Sequence, residues 1–154
     1  MILSKDDVMY LDIATTVSKR SRDKIYKVGA VIAKDNRILS YGWNGTPHGM
    51  DNQTRDPNGK TKWELVHAET NAIAKLAAST SSSEGATLYL THSPCKECTK
   101  LILQSGIKRL VFRYVYESWG LGIDKANNPN VRSPENEALD LLREYGVEVA
   151  QHRD

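Results

Sequence analysis

Val8, Leu11, Ala14 and Val17 recur at near-helical spacing behind Ser4 and Asp7, a helix-start pair, and predict a first helix ending around residues 18–21. The period then shortens. Val28-Gly-Ala-Val-Ile-Ala-Lys34 and Arg37-Ile-Leu-Ser-Tyr-Gly-Trp43 read as strands, and Asp35-Asn36 between them tolerates the positive φ of a tight hairpin, so the two should pair antiparallel. The polar stretch from Gly45 to Trp63, with Pro47, Gly49, Pro57 and Gly59, is too long for a routine connection and reads as a lid-like loop. Helical spacing returns over His67–Ala78, where Ile73, Leu76 and Ala77 form the apolar side, and stops at the Ser79–Gly85 cluster. A strand over Thr87–Thr91, a helix over Pro94–Ser105 closed by Gly106, and a strand over Arg109–Val115 follow. A second long loop over Glu117–Arg132 leads to a helix that starts at Ser133-Pro134 and stops at Gly146, before a last strand at Val147-Glu-Val149.

The order is helix, hairpin, then helix and strand three times, which predicts an α/β fold: a mixed sheet with helices on both faces, its later strands parallel and joined by right-handed crossovers. With 154 residues and 40% hydrophobic content the chain is expected to form one domain over 1–154 around one core. The first residues lack a leader pattern and no apolar run approaches a membrane span, so the expected setting is soluble and cytoplasmic, with no membrane partner. A net charge of +2, from 21 basic and 19 acidic residues, gives no footprint for nucleic acid. Cys95 and Cys98 are the only cysteines, too few for a disulfide framework in a domain of this size; they suggest a metal or redox pair in a reducing compartment.

His67-Ala68-Glu69 opens one predicted helix and Ser93-Pro-Cys-Lys-Glu-Cys98 another, so three metal-ligand side chains gather at helix starts. The cysteines alone also suit a redox pair or two small buried hydrophobes, and His67 or Glu69 alone suits an ordinary surface position. Together they fit a catalytic ion better than a structural one, because three protein ligands leave a fourth position for water. Residues two apart in a regular helix point about 200° away from each other, so His67 and Glu69 can share a site only where side chains curl over the helix end. The ion is therefore expected off the helix N-termini, whose partial positive charge favours thiolates. Two thiolates cancel the charge of Zn²⁺ and acidify its water less, which calls for a separate base; Glu69 is placed to be that base.

His-x-Glu followed by Pro-Cys-x-x-Cys is the zinc deaminase signature. Val28-Gly-Ala-Val-Ile32, Gly42-Trp-Asn-Gly45, His67-Ala-Glu-Thr-Asn-Ala72, Ser93–Cys98 and Ser105-Gly-Ile-Lys108, in this order, resemble the deoxycytidylate deaminase family across most of the chain. The resemblance implies a three-layer α-β-α, cytidine-deaminase-like fold with a five-stranded mixed sheet. It implies Zn²⁺ on His67, Cys95 and Cys98, and Glu69 shuttling a proton from the attacking water to N3 and then to departing ammonia, as dCMP becomes dUMP, the thymidylate precursor. It places Asn44 on the sugar hydroxyl, Ala68 and Tyr116 near the substrate, and Ser21, Arg22 and Lys24 facing the phosphate.

The family also implies an allosteric homohexamer, activated by dCTP and inhibited by dTTP with Mg²⁺, with the effector loop on Gly42, Trp43, Asn44 and Gly45. Two of these residues have plainer readings: Asn44 can close a strand-end turn, and Trp43, which replaces the commoner tyrosine, can be core packing. The loop from Thr46 to Val66 carries His48 and no cysteine, so a second, structural zinc is not expected. Its order must come from packing, a neighbouring subunit or bound nucleotide, and higher mobility is expected without ligand. The competing classes are a deaminase of tRNA or single-stranded DNA, which needs a basic, aromatic groove that the sequence lacks, and a binding protein that has lost catalysis, against which intact Glu69 argues.

Overall fold

The structure, a computed structural model, describes residues 2–115 and 134–153. Five strands form one mixed sheet in the order β2-β1-β3-β4-β5: β1 is Gly29–Lys34, β2 Arg37–Trp43, β3 Thr87–His92, β4 Arg109–Tyr114 and β5 Glu148–Gln151. β1 runs antiparallel to both β2 and β3, while β3, β4 and β5 are parallel. The four helices are α1 (Lys5–Ser18), α2 (Ala68–Ala77), α3 (Lys96–Gln104) and α4 (Pro134–Glu144). Element bounds differ from the sequence expectation by a residue or two at strand and helix ends. Tyr116, the expected loop over 117–132 and the Ser133 helix start lie outside the described residues.

Alternation along the strands divides the apolar side chains between two layers. Val31 and Ala33 of β1, Tyr89 of β3 and Val111 of β4 face α1, where Tyr10, Leu11 and Ala14 cover them. Ala30 and Ile32, Leu88 and Leu90, and Leu110 and Phe112 face the other way, onto Ala72 and Leu76 of α2, Ile102 of α3, and Leu139 and Leu142 of α4. The result is the three-layer α-β-α arrangement, with helices on both faces. Asp35 and Asn36 adopt φ of 52° and 59° in the hairpin turn between β1 and β2, the conformation that their side chains tolerate best after glycine.

Strand direction decides where a site can form. Gly29 pairs with Trp43 and Ala30 with Leu90, so the start of β1, the end of β2 and the end of β3 meet at one edge of the sheet. The helix α2 seats on β2 through Ser40 Oγ, which donates to Ala72 O at 2.7 Å, and Asn71 Nδ2, which donates to Trp43 O at 2.7 Å. Gly42 permits this approach: a Cβ there would lie 2.7 Å from Ala68 O and 2.7 Å from Ala72 N. The first turn of α2 is thereby held against β2, where His67, Ala68 and Glu69 line one cleft with His92 from the end of β3. No helix of the described residues is long and apolar enough to cross a membrane.

Candidate active site

His67 and Cys95 are both helix N-caps. His67 precedes α2 with φ −72° and ψ 158°, and Cys95 precedes α3 with φ −76° and ψ 171°; both backbones are extended. This resolves the 200° difficulty, because His67 stands off the helical spiral while Glu69 lies within the first turn. It also corrects the expected helix over Pro94–Ser105. Cys95 and Cys98 meet by capping geometry, Cys98 N donating to Cys95 Sγ at 3.5 Å, and not as neighbours on one helical face.

The His67 Nδ1 atom lies 3.2 Å from Cys98 Sγ and 3.4 Å from Cys95 Sγ, and the three ligand atoms fall within 4.8 Å of one another. A tetrahedral zinc with ordinary bond lengths needs N···S edges of about 3.5 Å, so one nitrogen and two sulfurs at this spacing fit Zn²⁺ with small adjustments. The hydrogen bond from Cys98 and the neighbouring His67 lower the Cys95 thiol to about 4, against burial. Cys98, as that donor and as a buried group, is raised. The hydrogen bond to Cys95 and the nearby Glu69 carboxylate raise His67 despite its burial.

The Glu69 side chain, 4% exposed, lines the same cleft as His67 and Cys95, and burial pushes its carboxyl up from the usual carboxylate range. The cleft is walled by Tyr26, Val28, Asn44, Leu65, His92 and Ser93, gathered from the edge where β1, β2 and β3 meet. His92 sits edge-on to Tyr26, with ring centroids 6.3 Å apart, and 5.5 Å from the ring of Tyr114. Its burial lowers its pKa, leaving a neutral, flat wall.

Asn44 is buried, and its amide is part of the scaffold: Oδ1 accepts from Val28 N at 2.9 Å and Nδ2 donates to Tyr26 O at 2.8 Å. Beside it Asp23, with a side chain 1% exposed, accepts from the backbone N–H groups of Ile25 and Tyr26, from Thr54 Oγ1 at 2.8 Å and from Arg55 Nη2 at 3.1 Å. Burial works against that carboxylate, but these donors outweigh it and lower its pKa. Asp23 therefore ties the long loop after β2 to the segment before β1. Further bonds within the loop include a bridge between Gly45 and Val66, another between Arg55 and Thr61, and Thr46 Oγ1 donating to Asp51 O. Of the three sources of order considered for the loop, packing within the chain is present.

Residues 4–114 match the family described as cytidine and deoxycytidylate deaminase zinc-binding region. The chain belongs to that family. Deoxycytidylate deaminase of Enterobacteria phage T2 is 35% identical over 90% of this chain and 88% of its own length. The human deoxycytidylate deaminase is 34% identical over 67% of this chain and 61% of its own. Among solved structures, the dCMP deaminase of cyanophage S-TIM5 in complex with dCMP and dUMP superposes with a TM-score of 0.84 at 34% identity, covering 99% of this chain and all of that one. The apo form of that enzyme gives 0.75 at 31% identity, covering 98% of this chain and all of its own.

Within this deaminase fold, the structure sorts the residues named from family resemblance. His67, Ala68, Glu69, Cys95 and Asn44 line one cleft, and Cys98 completes the ligand cluster. Ser21 is buried behind it, donating to Asn44 O at 2.9 Å and accepting from Asp23 N at 3.2 Å, so it supports Asn44. Arg22 and Lys24 are exposed and do not line the cleft. Gly42 is occupied with seating α2, and Gly45 with pairing to Val66. Trp43 forms a separate face, stacked on Tyr41 and capped by Arg20 and Lys75 at 5.4 and 5.1 Å from its ring.

Sequence reasoning missed Asp23, Tyr26, Arg55, Thr61, Leu65 and His92 as cleft residues. His92 could have been found, since it directly precedes the Ser-Pro-Cys run. Arg55 could not, because one arginine in a polar loop has no spacing that marks it.

Proposed function

We propose that this chain hydrolyses dCMP to dUMP and ammonia. The observation that carries the reading is Glu69, a buried carboxylate raised by its surroundings, in one cleft with the His67, Cys95 and Cys98 cluster. The ligand cluster would hold Zn²⁺, which when bound supplies Lewis acidity and a strong nucleophile from water near neutral pH. Glu69 accepts the proton of the attacking water, passes it to N3 of cytosine, and serves the exocyclic nitrogen as it leaves. A C4–O bond forms, the C4–N4 bond breaks, and nitrogen departs as ammonia. A carboxyl raised by burial suits a group that both takes and returns a proton.

His92 and Tyr26 wall the base and sugar, and Asn44, with one amide N–H bound to Tyr26 O, turns the other to the sugar hydroxyl. The names of the relatives and the nucleotides in the S-TIM5 complex support the choice of substrate. The reading extends to one catalytic domain over 1–154 acting in the cytoplasm as a homohexamer, activated by dCTP and inhibited by dTTP with Mg²⁺. The Trp43 face, an aromatic platform with two cations over its ring, supports an effector role for that region.

The test compares deamination of dCMP and deoxycytidine by zinc-loaded protein, with and without dCTP–Mg²⁺, and with Glu69→Ala as control. Formation of dUMP that the substitution abolishes is the expected result. Turnover of a single-stranded oligonucleotide with none of dCMP sinks the reading.

A further inference from the structure

We propose that Arg55, aligned by Asp23, recognises the 5′-phosphate of the substrate, in place of Arg22 and Lys24; the inference rests on the dCMP reading above. Among the described residues that line the cleft, Arg55 is the only lysine or arginine. The same cleft contains the carboxylates of Asp23 and Glu69, whose field repels a phosphate unless a cation offsets it.

Arg55 is also held in a defined pose. Nη2 donates to Asp23 Oδ1 at 3.1 Å and Nη1 to Gly59 O at 3.0 Å, which fixes the guanidinium plane against the loop. A guanidinium carries five N–H donors, and among the described residues these contacts take up two; Nε has no hydrogen-bond partner. Asp23 also accepts from Ile25 N, Tyr26 N and Thr54 Oγ1, so Arg55 is one of four donors around it and not its sole partner. An orienting carboxylate behind an arginine with spare donors is an arrangement suited to a planar, charge-assisted grip on phosphate.

Depth agrees. Glu69 is 4% exposed and the Arg55 side chain 20%, so Arg55 is the more solvent-accessible of the two. A substrate that brings C4 to Glu69 leaves its strongly hydrated phosphate on the solvent side. Thr61, paired with Arg55 in the loop bridge, also lines the cleft and adds a hydroxyl there.

The experiment measures kcat/KM for dCMP and for deoxycytidine in the wild type, Arg55→Gln and Arg55→Lys. Glutamine removes the charge but keeps a donor for Asp23. The ratio of the two substrates, taken on one preparation, does not depend on the folded or zinc-loaded fraction. The expected outcome is a dCMP-over-deoxycytidine ratio that falls by roughly 10- to 100-fold in Arg55→Gln, with Arg55→Lys retaining more of it. A purely structural Arg55 lowers both substrates alike and leaves the wild-type ratio in Arg55→Gln, which overturns the assignment. Wild-type protein that does not turn over dCMP overturns the functional reading itself, and this inference with it.

Discussion

Arg109 forks onto the carboxylate of Asp7, Nη1 to Oδ1 at 2.6 Å and Nη2 to Oδ2 at 3.0 Å, and so fastens α1 to β4 across the layer boundary. Asp7 also completes the α1 capping box, accepting from Ser4 N at 2.8 Å, and receives the Tyr89 hydroxyl at 2.8 Å. The Arg109 hydrogen bond, ahead of the others, holds this buried carboxyl well below the usual range. Asp7→Asn is expected to destabilise the fold by about 3 kcal/mol, because it removes the buried carboxylate of the pair and leaves the largely buried Arg109 to the more exposed Glu148, 3.6 Å from its Nε.

The pH dependence of that loss follows from the sign of the shift. A carboxylate whose folded pKa is depressed stabilises fully above its unfolded value, 3.8, and loses that stabilisation as pH falls toward the folded value. The gap between wild type and Asp7→Asn in urea unfolding should stay constant from pH 7 to 5 and narrow below pH about 4. A gap that holds its size at pH 3 contradicts the assignment.

Glu69→Gln separates chemistry from stability. The glutamine fills the same volume but cannot take a proton, so turnover is expected to fall by at least 10²- to 10⁴-fold. Stability should hold or rise, since a buried carboxyl with a raised pKa is a group that burial disfavours when charged. Thermal unfolding and bound zinc measured beside turnover check this; a collapse of the melting temperature together with activity points to a structural carboxylate.

Much of the fold was legible because its signals are local. The two-residue alternation of Ala30, Val31, Ile32 and Ala33 encodes both faces of the sheet, and Asp35-Asn36 encodes the turn. The ligand set was legible from residue type and spacing, although the spacing of Cys95 and Cys98 reads the same for an N-cap and its third residue as for two helical neighbours. The Asp23–Arg55 pair was not legible. Asp23 and Arg55 stand 32 residues apart, and no periodicity or short motif links positions at that separation. Asp23 lies between Arg22 and Lys24, which with Ser21 are the residues the resemblance turns to the phosphate; burial, which sequence does not give there, is what distinguishes it from those two charged neighbours.

Gly42→Ala tests how tightly the site depends on the seat of α2. The added Cβ meets two backbone atoms at 2.7 Å, Ala68 O and Ala72 N, and neither can rotate away as a side chain would. Helix and strand must part, at a cost of about 1–3 kcal/mol. Because His67 and Glu69 ride on the first turn of α2, activity should fall further than the folded fraction does. Equal, proportionate losses in both would mean that the site tolerates the shift.

Asn44→Asp distinguishes the scaffold role of Asn44 from its contact with substrate. In the wild type, the amide is read at both ends, Nδ2 donating to Tyr26 O and Oδ1 accepting from Val28 N. An aspartate keeps the acceptor and loses the donor, turning a second oxygen toward Tyr26 O across a gap of 2.8 Å. An ionised carboxylate there faces a carbonyl in a buried setting, and the expected loss is about 1–3 kcal/mol, smaller at low pH, where protonation restores a donor. Asn44→Ser removes the bridge without adding charge. If Asn44 acts only as scaffold, Asn44→Ser lowers melting temperature but leaves KM for dCMP near the wild-type value. If it also holds the sugar, KM rises at temperatures where the variant is fully folded, and that rise is the outcome expected here.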